Sequence, residues 1–245
     1  MILDAIKKNP LLYWDMFKYS PQVLAGCKII NSGIQSPWLN GVVGGTSTNP
    51  SEIVRYFQER NTPFSWWSEC SEEPSDLRQN LESLGLHCEG PILGMGLELE
   101  NIPTLATISD FQVERVDSDL KLQEFVTCLM QVYGAPSELY SATMNLFSHA
   151  GFTDEARFHF IGKYQGKSVS VGSLYVDSDA VASVYNMGTL ESHRKMGFAS
   201  ALLLHALTQV KELGARYSAL TATCDGKNVY QRLGYTPYNS FHLYM

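Results

Sequence analysis

Basic residues are scarce in this chain: 18 Lys and Arg stand against 25 Asp and Glu, a formal net charge of -7 over 245 residues. That deficit argues against a general nucleic-acid or anionic-membrane binder, since those display an excess of Lys and Arg, and it fits a cationic small substrate better. Paired cysteines are lacking as well. Cys27, Cys70, Cys88, Cys128 and Cys224 are odd in number and widely spread, with no CxxC pair and no His/Cys cluster of zinc spacing. They read as reduced thiols of a cytoplasmic protein, with no metal implied. Long apolar runs are missing too: ALLL at 201–204 falls far below the roughly 20 residues of a membrane span, and MILDAIKKNPLLYWDMF has no signal-type apolar core. Neither GxxxxGK[ST] nor GxGxxG occurs, which weakens mononucleotide and NAD readings.

What is present reads most clearly from residue 111 onward. FQVERV (111–116) alternates like a strand, a helix starts at Asp117 or Ser118 and stops at Gly134, and a second helix covers 137–151. Three strands follow up to residue 189, punctuated by QGK and DSD. The next helix carries Phe198, Leu202, Ala206, Val210 and Leu213 at spacings of three and four, with Gly214 placed to end it. A strand over 216–224, a short helix in KNVYQRLG and a strand in SFHLYM finish the chain. Strand, helix, strand in that order implies parallel neighbours, hence a mixed α/β fold.

The first hundred residues resemble a worn copy of that ending. LNGVVGGT, TPFSWWS and GMGLELE read as strands, NPSEIVRYFQERN and PSDLRQNLESLG as helices, and the junction LESLGL (81–86) matches YQRLGY (230–235). The expectation is a tandem repeat with a seam near ENIPTLATISD, dividing the chain into 1–104 and 105–245. Of the paired Trp66 and Trp67, one should face the core, because successive strand side chains alternate.

The start of the helix after residue 193 breaks local rules. Arg194 and Lys195 oppose the macrodipole, and Gly197 costs about 1 kcal/mol relative to alanine in a helix. An anion resolves the conflict, because free first-turn amides and the positive dipole end bind phosphate oxygens and glycine permits close approach. The first half has nothing of this kind before its helix at 49–60, which places the chemistry in the second half.

RKMGFA (194–199) resembles the Arg/Gln-x-x-Gly-x-Gly/Ala signature of the GNAT superfamily of N-acetyltransferases, and TATCDGKNVYQRLGY resembles its second motif, where a tyrosine precedes Leu-Gly-aromatic. PFSWW…PSDLRQNLESLGL…GMGLEL is similar to the non-catalytic half of some tandem members. The resemblance implies a central mixed sheet flanked by helices, with a smaller degenerate N-terminal repeat. It also implies acetyl-CoA lying in a split between two parallel strands. Its pantetheine arm would pair with the main chain of Met187, Gly188 and Thr189, and its pyrophosphate would sit on the amides of Arg194, Lys195, Met196, Gly197, Phe198, Ala199 and Ser200. Asn228 could touch the arm. Tyr230 occupies the general-acid position, where a phenol of pKa about 10 can hydrogen-bond to and protonate a thiolate whose acid lies near 8.5. Lys195 and Met196 depart from the small pair common in the family, and Ala199 replaces the more usual glycine.

The implied activity is acetyl transfer to a primary amine of a small molecule or peptide by direct attack in a ternary complex, in a monomer or a homodimer. The alternative is a non-catalytic acyl-CoA sensor or interaction module. The base stays open among Glu191, His193 and Tyr185. The acceptor would be shaped by the helices at about 118–152, where Asp117, Asp119 and Glu124 lie. Cys224 is expected as a small buried residue at a strand end, and His205 as a partly buried structural one.

Overall fold

A strand from the first hundred residues lies between the last two strands of the chain, and the rest of the architecture follows from that insertion. The computed structural model describes residues 2–45, 49–104 and 107–245, apart from the side chain of Asp225. The expected strand LNGVVGGT and the expected seam at 104/105 therefore each touch residues outside those described, Thr46 and Leu105 respectively. The elements are α1 (Ile2–Met16), β1 (Gln22–Leu24), β2 (Cys27–Asn31), β3 (Asn40–Val43), α2 (Pro50–Gln58), β4 (Ser65–Glu69), α3 (Leu77–Ser83) and β5 (Cys88–Glu98). They continue as β6 (Phe111–Arg115), α4 (Asp119–Tyr133), α5 (Tyr140–Ala150), β7 (Arg157–Tyr164), β8 (Lys167–Val176) and β9 (Val181–Thr189). The chain closes with α6 (Phe198–Glu212), β10 (Tyr217–Ala222), α7 (Cys224–Arg232) and β11 (Thr236–Tyr244).

Among the described residues all eleven strands form one sheet, in the order β1-β2-β3-β4-β11-β5-β10-β9-β8-β7-β6. Its middle is a palindrome. From β3 to β9 the pairings run parallel, antiparallel, antiparallel, antiparallel, parallel, with β11 and β5 at the centre.

Local chemistry accounts for the elements that flank the split described below. Ser118 Oγ accepts from the Lys121 amide at the start of α4, and Gly134, with φ +61°, ends it in the left-handed conformation that glycine takes at no steric cost. On α6 the residues Phe198, Leu202, Ala206 and Val210 are buried as the spacing predicts. Leu213 is 62% exposed, because the helix ends at Glu212 and the residue falls at its cap. His205 is exposed rather than half-buried and meets Gln209 at 2.9 Å. Trp66 is fully buried, while Trp67 is half-buried with its ring edge toward Phe241.

Helix α1 and the β1–β2 hairpin are not anticipated by the sequence. Pro10 inside α1 removes a helical hydrogen bond, yet Ala5, Ile6, Asn9, Leu12, Trp14 and Met16 are all buried. Tertiary burial outweighs that local cost. The helix lies against the centre of the sheet because β5 presents glycine there: a Cβ on Gly96 would come 2.6 Å from Ile2 Cδ1, and one on Gly94 would collide with Ile6. On one face α6 and α7 pack against β5, β7, β8, β9 and β10, burying Phe158, Phe160, Leu174, Leu203 and Leu220. On the other, α4 and α5 meet the end of α1 through Phe17, Phe125 and Phe147.

Ile6→Ala should cost about 2–5 kcal/mol, the range for emptying a buried aliphatic position. Urea unfolding should show a lower midpoint with unchanged slope, and an unchanged midpoint would contradict the anchoring of α1 on β5.

Candidate active site

β9 and β10 run parallel and touch through only three residue pairs, Val181–Tyr217, Ala182–Ser218 and Ser183–Ala219. Beyond Ser183 they part. Each strand follows its other neighbour: β10 stays paired with β5 as far as Ala222–Leu93, and β9 with β8 as far as Thr189–Ser170. A bulge in β9 falls inside the open stretch, where the register against β8 slips between Val171 and Ser173 and Asn186 takes φ +55°. Such a bulge bends the strand and re-aims its main chain. The result is a V-shaped split whose vertex lies at Ser183 and Ala219.

Among the described residues the first half shows no such opening. β3 ends at Val43, the next amide, Gly44 N–H, bonds Trp67 C=O at 3.0 Å, and the Trp66 indole N–H bonds Gly44 C=O at 2.8 Å. Strand and indole together close the corresponding seam.

From the mouth of the split the chain passes through a 3-10 turn at Glu191–His193 into α6. Lys195 takes φ +65° and Gly197 φ +83°, so the backbone reverses sharply before Phe198. Gly197 caps the helix without any side-chain bond. Among the described residues the amides of Lys195 to Ser200 find no backbone acceptor, and the Ala201 amide is the first to bond, to Gly197 C=O at 3.0 Å. Lys195, Met196 and Gly197 are exposed, so the unpaired amides stand at the surface beside the split. Phe198 contributes only its amide there, since its ring is buried and stacked 4.5 Å from Phe111. Arg194 turns its Nε–H back onto Thr189 C=O at 3.3 Å, bracing the end of β9.

The carbonyls of the other residues expected on the arm already have side-chain partners. Tyr133 O–H donates to Met187 C=O at 3.1 Å, and Ser170 O–H to Gly188 C=O at 2.9 Å. Gly188 has a packing reason invisible in the sequence: a Cβ there would strike Val132 at the end of α4. Tyr230 lies on α7 with its ring edge-on to Tyr235 at 5.8 Å, against the core on the α6 side. Its hydroxyl makes no hydrogen bond among the described residues, and burial pushes its pKa up to about 12. Asn228 is exposed, two positions away on a helix of 3.6 residues per turn, and so faces away from Tyr230. Cys224 is exposed rather than buried, because α7 begins at that residue and lifts it off the strand.

None of the base candidates reaches the vertex as a free acceptor. Tyr185 is half-buried, held neutral by desolvation of its hydroxyl, and donates to Asn9 C=O at 2.7 Å. His193 meets Ser192 Oγ at 2.8 Å, and Glu191 is exposed on the turn. Asp117 pairs with Lys121 at 3.1 Å and Glu124 with Lys163 at 2.9 Å, on the outer surface of α4. What sequence reasoning missed is the wall supplied by α1 and α4: Tyr13 O–H reaches Asn186 Oδ1 at 3.5 Å, and its ring lies 5.2 Å from Tyr185. No local pattern links residue 13 to residue 186.

Among the described residues no group of three His, Cys, Asp or Glu side chains could hold a metal ion, and no helix is long and apolar enough to cross a membrane. Residues 122–235 match the Acetyltransferase (GNAT) family. Solved structures similar to the whole chain include a GCN5-related N-acetyltransferase from Kribbella flavida, with TM-score 0.71 and 18% identity over 97% of this chain and 94% of that one. Another, from Sphaerobacter thermophilus, has TM-score 0.66 and 14% identity over 89% and 75% of the two chains. A tandem GNAT protein from the clavulanic acid biosynthesis pathway has TM-score 0.54 and 12% identity over 89% and 77%. No curated protein matches the sequence. These likenesses show the fold: a mixed sheet with flanking helices of the GNAT type.

Because burial favours the neutral phenol, Tyr230 keeps its proton throughout the physiological range. In a spectrophotometric titration the difference between wild type and Tyr230→Phe should report a phenol ionising near pH 12. An ordinary midpoint near 10 would contradict its enclosure.

Proposed function

We propose that the split between β9 and β10, in a chain whose residues 122–235 match the Acetyltransferase (GNAT) family, binds acetyl-CoA and passes its acetyl group to a primary amine of a small molecule or peptide. The observation that carries this reading is the coincidence of two features between Ser183 and Gly197: strands that part after three pairs, and a helix N-terminus with no side-chain cap of its own. The main chain of Met187 to Thr189, unpaired with β10, suits an extended arm with amides of its own, which would take over carbonyls that Tyr133 and Arg194 now bond. The unpaired amides from Lys195 to Ser200 suit a pyrophosphate, with Arg194 and Lys195 adding charge. The reaction is direct attack of the amine on the thioester in a ternary complex, in the cytoplasm.

Tyr230 supports the departing sulfur. Its pKa of about 12 lies well above the roughly 8.5 of a thiol, so complete transfer from the phenol is uphill by about 3.5 units, or about 5 kcal/mol. Its larger contribution is a hydrogen bond to the thiolate, with the proton it passes on replaced from the attacking nitrogen. Residues 1–104 are, in this reading, a degenerate repeat of 105–245 that keeps the sheet without the split; among similar structures is one described as a tandem GNAT protein. One observation favours a sensor instead: of the candidate bases, Tyr185 already donates to Asn9 C=O and His193 already meets Ser192 Oγ.

Incubation with acetyl-CoA and a panel of amines should release free CoA thiol. Tyr230→Phe should lower kcat by roughly 100-fold while leaving CoA affinity intact. Calorimetric binding of CoA with no thiol released by any amine would establish the sensor. Gly197→Val, forced into φ +83°, should weaken CoA binding by about tenfold; unchanged affinity would remove the phosphates from this loop.

A further inference from the structure

On the face that α4 and α5 cover, β7, β8 and β9 set a row of polar side chains side by side. His159 is the register partner of Ser173, and Ser173 that of Tyr185, the residue before Asn186. Asn186 Nδ2 donates to Ser173 Oγ at 3.2 Å, and Ser173 Oγ lies 2.8 Å from His159 Nδ1. At the far end Tyr13 O–H makes its long contact with Asn186 Oδ1 at 3.5 Å. The donors therefore run one way, from Tyr13 through Asn186 to Ser173, whose own proton goes to Nδ1. The imidazole then carries its proton on Nε2, a buried atom with no hydrogen-bond partner among the described residues.

Aromatic rings join the same two ends by a second route. His159 lies 5.1 Å from Phe125 and 5.0 Å from Phe147, Phe147 lies 5.0 Å from Phe17, and Phe17 lies 5.2 Å from Tyr13. Burial lowers the His159 pKa to about 3 against the pull of Asp154, so the ring stays neutral and can accept from Ser173. A fully buried imidazole with an orphan nitrogen is a poor way to fill a core, since a phenylalanine would pack there with no polar group to satisfy. The row is therefore kept for what it touches, which is the bulge of β9.

Asn186 and Met187 fall between the pairs Tyr185–Ser173 and Gly188–Val171, so neither has a register partner on β8. Asn186 takes φ +55°, a conformation that a residue other than glycine keeps where its surroundings dictate it. An arm that leaves the phosphates at α6 and follows Thr189, Gly188 and Met187 brings its thioester to this point of the strand. We propose, resting on the acetyl-CoA reading of the split, that His159 is a positioning residue: through Ser173 it fixes the Asn186 side chain, and through Asn186 the main-chain conformation that receives the acetyl end of the donor. In this role His159 touches neither donor nor acceptor, and no bond is made or broken on it.

Calorimetry on the full chain with acetyl-CoA, and with CoA, which lacks the acetyl group, reads that position. His159→Phe keeps a ring between Phe125 and Phe147 but removes the acceptor, and Asn186→Gly keeps φ +55° accessible but removes the tether. Each should weaken acetyl-CoA by about tenfold and CoA by less than about twofold. The double variant should bind no more weakly than the weaker single one, because both changes cut one chain. His159→Asn returns an acceptor near the place of Nδ1 and should recover acetyl-CoA affinity even as it lowers the melting temperature. In long-range proton–nitrogen spectra of the wild type, His159 should show the Nε2–H tautomer from about pH 5 to 8 and shift when acetyl-CoA is added. Wild-type affinity in His159→Phe, additive losses in the double variant, or a proton on Nδ1 would overturn the proposal. Equal losses for CoA and acetyl-CoA, or weaker acetyl-CoA binding by His159→Asn than by His159→Phe, would overturn it too, by showing that the ring merely packs. A wild-type chain that binds neither CoA nor acetyl-CoA would remove the donor site itself, and this role with it.

Discussion

The contest between neighbours on either side of β9 and β10 decides the shape of the whole site. Two parallel strands normally stay joined, since every main-chain group left without a partner carries a cost. Here β10 is held to β5 through six residue pairs and to β9 through three. The sheet twists, and the two strands diverge with their better-paired partners. The bulge at Asn186 adds a bend on one side of the opening. The vertex, the direction of α6 and the exposed amides before it are consequences of that divergence.

The palindrome at the centre of the sheet shows how little separates an open seam from a closed one. β3 and β4 stand to β11 as β9 and β10 stand to β5. β9 continues to Thr189, well past its last pair with β10, whereas β3 stops where the pairing stops and Gly44 extends the ladder by one more bond. A strand that outruns its partner leaves main-chain groups for something else to bind. β3 leaves the ladder at Gly44 instead, and the Trp66 indole covers the Gly44 carbonyl.

The legible parts of the chain were those governed by neighbours in sequence. The α6 stripe, the Ser118 cap, the turn at Gly134 and the rule-breaking Arg194–Gly197 stretch all state their structure within a few residues. Leu213 falls one position past the end of α6, and Cys224 opens α7 three residues before the expected start at Lys227, because spacing alone does not show which residue ends or begins a helix. α1 was hidden for another reason: Pro10 argues against a helix locally, and the surface that outweighs it lies on β5, β9 and β10. The same distance concealed the contacts that α1 and α4 make with β9. Tyr13 acquires a role only when Asn186 is beside it, and Gly188 only when Val132 is.

Placing β5 between β10 and β11 also sets an order in time. β5 is complete at Glu98, but the strands on its two sides begin at Tyr217 and Thr236, near the end of the chain. During synthesis it must wait, with both edges open, until almost all of the protein has left the ribosome. Pairings this distant in sequence are slow to form, and an unpaired strand rich in apolar residues invites wrong partners meanwhile. The nascent chain therefore holds the Arg194–Gly197 turn, already encoded by local sequence, before it holds the split beside it. The opening between β9 and β10 is among the last features of the molecule to come into being.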